Sequence, residues 1–138
     1  IMASELRVNT LKDASGNNSV AMSTVSNGTP KGYAYWNQLT NTIVDSLNTS
    51  SFTDVDTGVG GINWSSAMSS ATYMCTTGAP TVATNTAYVA VTMDDDIYAY
   101  QTKTTTFWPF NTAYSGDGAG KAYFDSKGSI CSAMGDLA

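Results

Sequence analysis

W-N-Q-L-T-N-T-I-V-D-S-L-N-T-S-S-F-T-D-V-D-T-G-V-G-G-I-N-W-S-S-A-M-S-S-A-T-Y, residues 36–73, is the stretch that decides the fold. Apolar and polar residues alternate in short runs at 42–45, 51–55 and 62–64, the period-two signature of strands with one buried face. Asn, Asp and the D-T-G-V-G-G loop at 56–61 break those runs, because these residues adopt turn conformations at little cost. Strands this short and this closely spaced predict a sandwich or barrel. The one place for a helical turn is S-S-A-M-S-S-A at 65–71, but its composition makes a weak helix, so a turn leading into a strand at 73–76 is expected. Trp36, Phe52, Ile62, Trp64 and Tyr73 are the expected core. Nothing in the stretch could run a reaction, which points to a surface that assembles or binds.

Working outward, G-Y-A-Y-W at 32–36 is the densest aromatic run and opens the main body, with Tyr33 and Tyr35 facing opposite to Ala34 and Trp36. Downstream, 88–93 and 97–103 predict a hairpin around three aspartates at 94–96, and 130–134 predicts the last strand. Segment 104–121, with Phe107, Trp108, Phe110 and Tyr114 among Thr, Gly and Asn, reads as the least regular part. Ahead of the body, strands are expected at 5–12 and 20–25, joined by D-A-S-G-N-N at 13–18 and ended by S-N-G-T-P at 26–30. That ribbon has too few large apolar groups to cover two faces, and an isolated hairpin is marginal in water. It is expected to pack on its own body, on neighbouring copies or on a larger assembly. The chain is thus read as all-β, with residues 1–30 an extended N-terminal β-ribbon for anchoring or trimerising. Residues 31–138 form an antiparallel β-sandwich head, jelly-roll-like.

The 138 residues allow one core of ordinary size. Charged residues make up 12%, about half of the roughly 25% usual in soluble domains, so the surface is polar but weakly charged. A net charge of -5 with only six scattered Lys and Arg argues against a nucleic-acid partner. No apolar run approaches the roughly 20 residues of a membrane span, and I-M-A-S-E-L-R has no apolar signal-peptide core; Met2 is read as the natural start, with Ile1 upstream of it. Cys75 and Cys131, in a chain with no sign of secretion, are expected to be buried free thiols rather than a bridge. With no histidine, a catalytic triad and a zinc site of the usual kinds are excluded, and no cofactor is expected.

Four features could be taken for chemistry. Three adjacent aspartates at 94–96 point to alternating sides of a strand, so a solvated hairpin tip is preferred to a Ca²⁺ site. G-V-G-G at 58–61 and G-D-G-A-G at 116–120 lack the following helix and Lys-Ser/Thr pair of a phosphate loop. Asp45, Asp54, Asp117 and Asp125 supply acids for glycan hydrolysis, yet no spacing selects a pair, and the chain is read as no enzyme. Phe107, Trp108, Phe110 and Tyr114 are candidate receptor contacts, since aromatic faces on loops stack on sugars; the plainer reading has them plug the end of a sandwich or the centre of an oligomer.

Three stretches, A-S-E-L-R-V-N-T-L-K-D-A-S-G-N-N-S-V at 3–20, the run 45–73, and G-D-L-A at 135–138, together resemble small virion fibre or appendage proteins of tailed bacteriophages, those of cyanobacterial and other marine phages above all. The resemblance covers about half of the chain, and 94–123 carries no family pattern. It implies a β-rich, trimeric structural protein of the virion, assembled in the host cytoplasm, without enzymatic activity or catalytic residues. Independently, association around a threefold axis would turn the thin ribbon into core and close strand edges that otherwise invite aggregation. The candidate anchoring residues are Leu6, Val8, Leu11, Val20 and Met22, expected to meet other virion proteins while the head contacts a host surface glycan. The alternatives are a carbohydrate-binding module using loop aromatics such as Trp108 and Tyr114, and a capsid decoration protein; tail and head attachment both stay open.

Overall fold

A computed structural model of the chain describes residues 7–16, 18–78, 90–94, 101–116 and 120–138, with side chains described outside 90–94 and 114–122. In chain order the elements are β1 (Thr10–Lys12), β2 (Ser19–Ala21), α1 (Met22–Gly28), β3 (Gly32–Asn37), β4 (Thr42–Leu47) and β5 (Thr49–Asp56). They continue with β6 (Val59–Trp64), β7 (Met74–Gly78), β8 (Ala90–Asp94), β9 (Phe107–Gly116), β10 (Gly120–Tyr123) and β11 (Ser129–Met134). Among the described residues the fold is mostly β, with every strand pair antiparallel and one short helix.

The strands expected at 42–45, 51–55 and 62–64 exist and are longer than the alternation suggested, as β4, β5 and β6. Their turns use residues suited to positive φ: Asn41 (51°), Asn48 (55°) and Gly58 (67°). Asn48 is the single residue between β4 and β5, which belong to different sheets. Its amide is pinned on both sides, Oδ1 accepting from Ser66 N at 2.7 Å and Nδ2 donating to Ser66 O at 3.2 Å. A chain that must change sheets within one residue needs such an anchor.

One sheet has the order β4-β3-β11-β7, and β5, β6, β9, β10 and β8 form the other. They share one core. Ala34 and Trp36 of β3 and Cys131 and Ala133 of β11 meet Ile62 and Trp64 of β6 and Trp108 and Phe110 of β9. The Trp36 ring lies 4.7 Å from Phe110 and 6.3 Å, edge-on, from Trp108, both within the range where aromatic pairs attract. Of the five residues expected as core, Trp36, Ile62, Trp64 and Tyr73 are buried, and Phe52 packs against them partly exposed. Tyr33 and Tyr35 face outward, opposite to Ala34 and Trp36, as the alternation requires. The turn at 65–71 adds a bridge from Met68 to Leu137. Cys75 and Cys131 are free thiols, Cys131 buried and Cys75 half-buried.

Two expectations are corrected. The run 20–25 is not a strand: β2 stops at Ala21 and α1 begins at Met22. Its partner β1 supplies three residues, and Met22 N donating to Asn9 O at 3.0 Å is the last rung available. Beyond it the backbone must satisfy its own polar groups, and Met22 and Val25, three residues apart, fit one face of a helix. Nor is 104–121 irregular, because it contains β9, a strand of ten residues. Pro109 sits inside it without breaking it. The flanking even-numbered groups turn to β6, Thr112 N donating to Gly58 O and Thr106 O accepting from Trp64 N. Pro109 therefore turns its nitrogen away from β6, to the edge where β8 pairs as far as Phe110 among the described residues. Of the expected hairpin at 88–103, β8 is described, Gln101 and Lys103 lie outside any strand, and the tip lies outside the described residues.

Candidate assembly surface

The N-terminal segment is held together by short-range polar bonds rather than by burial. β1 and β2 pair from Thr10↔Ala21 to Lys12↔Ser19. Asp13 organises the tip: its Oδ1 accepts from Ser15 Oγ at 2.9 Å, its Oδ2 from Asn18 Nδ2 at 2.7 Å, and its carbonyl from Gly16 N at 3.0 Å. Gly16, at φ 73°, supplies the left-handed step this turn needs. After β2, α1 has no buried residue, no side-chain cap at its start and no acidic residue in its first turn. Lys31 folds back to donate to Ser26 O and to Thr29 Oγ1, tying the end of the helix to the start of the body.

No described residue from Arg7 to Thr29 is buried. Of the candidate anchoring residues, Val8, Val20 and Met22 are half-exposed and Leu11 is 44% exposed; Leu6 lies outside the described residues. Leu11 and Val20 are directly opposed across the hairpin, where they line a shallow hollow of about 280 Å³. Met22, expected on the ribbon, opens α1 instead. A second hollow, about 420 Å³, lies where Asn27 of α1 approaches Tyr73, Met74, Met134 and Asp136 of the body.

The candidate receptor contacts fare differently. Trp108 and Phe110 have 0% exposure and form the centre of the core, which removes them as contacts: on a strand with one face inward, positions 108 and 110 both point to the opposite sheet. Phe107 is half-buried, its ring lying where a Cβ on Gly61 would sit, 2.0 Å away. That close approach is why the paired strand has glycine there. Tyr114 lies in β9, and its side chain is outside those described.

The acids hold turns and strands. Asp125 Oδ1 accepts from Gly58 N at 2.7 Å, Asp54 Oδ2 from Asn41 Nδ2 at 2.8 Å, and Asp45 Oδ2 from Tyr33 OH at 3.4 Å. Among the described residues no group of three or more His, Cys, Asp or Glu side chains converges on one point; Asp95, Asp96 and Asp117 lie outside them. No described helix is long and apolar enough to cross a membrane. Burial pushes the Cys131 thiol up to about 12 against a weaker opposing backbone hydrogen bond with Ala34, so at neutral pH it is protonated and unreactive.

No protein-family model, curated protein or solved structure matches the chain.

Sequence reasoning missed the polar clamp at one end of the core. Gln38 Oε1 accepts from Ser126 N at 3.0 Å and from Ser126 Oγ at 2.9 Å, Gln38 N donates to Ser126 O at 2.9 Å, and Ser126 and Ser129 hydroxyls bond each other. All three side chains are buried. Nothing short of the pairing of β3 with β11 brings residues 88 apart together, so no local pattern could have found them.

Proposed function

We propose that this chain is a non-enzymatic structural protein of a virion, a bacteriophage fibre or appendage subunit that assembles through its N-terminal segment. Its two sheets then form a jelly-roll-like β-sandwich head, and three copies associate. The observation that carries this reading is the contrast in burial: none of the described residues up to Thr29 is buried, and Val8, Leu11, Val20 and Met22 face its surroundings. An apolar hairpin without a core is marginal alone and becomes stable when partner chains cover it. The polar, weakly charged composition and the quoted fibre-like stretches add support.

The proposal is tested by light scattering on the purified full-length chain at micromolar concentration. A particle of about three times 14.5 kDa is expected. A clean monomer would remove the assembly reading.

A further inference from the structure

The outer face of the four-stranded sheet is unusually apolar. Strand register puts Asp45, Tyr35, Ile130 and Gly78 in one row across β4, β3, β11 and β7, and Leu47, Tyr33, Ser132 and Thr76 in the next. Met134 and Met74 pair beyond them. Tyr35 (40% exposed), Leu47 (50%), Ile130 (53%) and Met74 (55%) are open, although this is the face that ordinarily carries polar residues toward water. Asp45 is the single charge in these rows. Such a face marks a contact surface rather than a solvated one.

We propose that this face seats the N-terminal hairpin and helix of a second copy of the chain; the inference rests on the assembly reading above and names its surface. Three observations select that occupant. First, the chain's own segment does not cover the face: its helix reaches only the Met74 and Met134 edge, through Asn27, and Tyr35, Leu47, Ile130 and Met74 remain exposed. Second, the segment carries the matching apolar groups, Leu11 and Val20 bordering a hollow that one large side chain such as Tyr35 or Ile130 can enter. Third, charge differs between the two parts. Arg7 and Lys12 balance Glu5 and Asp13 over residues 1–30, whereas residues 31–138 hold four lysines and nine aspartates, net -5. The segment thus meets the acidic body without like-charge repulsion, and Lys12 on the hairpin is suited to Asp45 on the sheet. Because the two surfaces differ, the contact is heterologous and passes from copy to copy until it closes into a ring.

The test compares the full-length chain with Leu11→Asp, Ile130→Asp and Met74→Asp by light scattering across a dilution series, with near-ultraviolet circular dichroism as the check on the core. All three side chains are exposed, so the core signal is expected to persist in each variant. Each substitution should weaken association by at least about tenfold. Dissociation by Leu11→Asp together with an unchanged oligomer in both Ile130→Asp and Met74→Asp would overturn the seat while leaving assembly through the segment standing. A native gel containing dextran in which the parent chain is retarded and Ile130→Asp is not, with oligomer mass equal in both, would overturn it in favour of a glycan on this face. A monomeric parent chain would remove both readings together.

Discussion

The segment up to Thr29 has no aromatic residue, the body that follows holds them all, and the two are held by different forces. In the body, Trp36, Ile62, Trp108 and Phe110 bring two sheets onto one core, and Gln38 and Ser126 are tied to each other inside it. In the segment, the bonds of Asp13 with Ser15 and Asn18 and of the Lys31 side chain with Ser26 hold local turns, and none of the described residues up to Thr29 is buried. A stable fold needs long-range burial to offset chain entropy, and only the body has it. The segment has shape without a core among its described residues.

The comparison breaks most visibly if the body can lose its centre and survive. Trp108→Ala removes a ring with no exposure that meets both Trp36 and Phe110, and is expected to cost about 3–5 kcal/mol. Urea unfolding followed by fluorescence measures it; a cost under about 1 kcal/mol would mean the core lies elsewhere. Tyr73→Phe is next. The Tyr73 hydroxyl accepts from Trp64 Nε1 at 3.0 Å and donates to Phe107 O at 2.9 Å, so its loss leaves a buried indole N–H without this partner and takes one of two donors from the Phe107 carbonyl, which also accepts from Thr104 N at 2.9 Å. About 2 kcal/mol is expected from the same experiment.

Cys131 gives a smaller, pH-dependent effect. Its native thiol is held up to about 12, while the unfolded thiol ionises near its ordinary 9.0. Between those values the native state binds more protons than the unfolded one, so the contribution is complete below pH 9 and falls as pH rises toward 12. The expected slope is about 1.4 kcal/mol per pH unit in that window. Comparing the chain with Cys131→Ala by urea unfolding at pH 8 and about pH 10 isolates it from other titrating groups; equal pH dependence in both would show that the thiol is not sequestered.

How far the sequence could be read follows the same division. Alternation at 33–36 and 62–64 marked Trp36, Ile62 and Trp64 as inward because a strand's period of two is local and needs no knowledge of the partner. The same period was present at Trp108, Phe110 and Thr112, all buried, but the surrounding Thr, Gly and Asn read as the least regular part of the chain, and Pro109 stands inside the run. Whether a proline interrupts a strand depends on which edge its nitrogen faces, and that is a property of the pairing with β6. The helix at α1 was hidden for the converse reason: Val20, Met22 and Thr24 alternate, yet the ladder ends when β1 runs out of residues. As for the surface, Leu11 and Val20 were legible as underburied apolar residues, whereas the row Tyr35–Ile130 exists only once β3 and β11 are paired.

The smallest expected effect is also the sharpest test of the division. Val20 lies opposite Leu11 on a hairpin that shares no sheet with the body, so Val20→Ser should change the unfolding free energy of the body by no more than about 0.5 kcal/mol. The measurement is made under dilute conditions where association does not contribute, since coupling to assembly would add stability by mass action. Combined with Trp108→Ala, it should add without interaction, because sites that share no partners behave independently. A coupling of about 1 kcal/mol or more would place the hairpin in the same cooperative unit as the aromatic core. The exposed Leu11 would then be one side of an intramolecular joint, and the outward apolar face of the four-stranded sheet would lose the segment as its occupant.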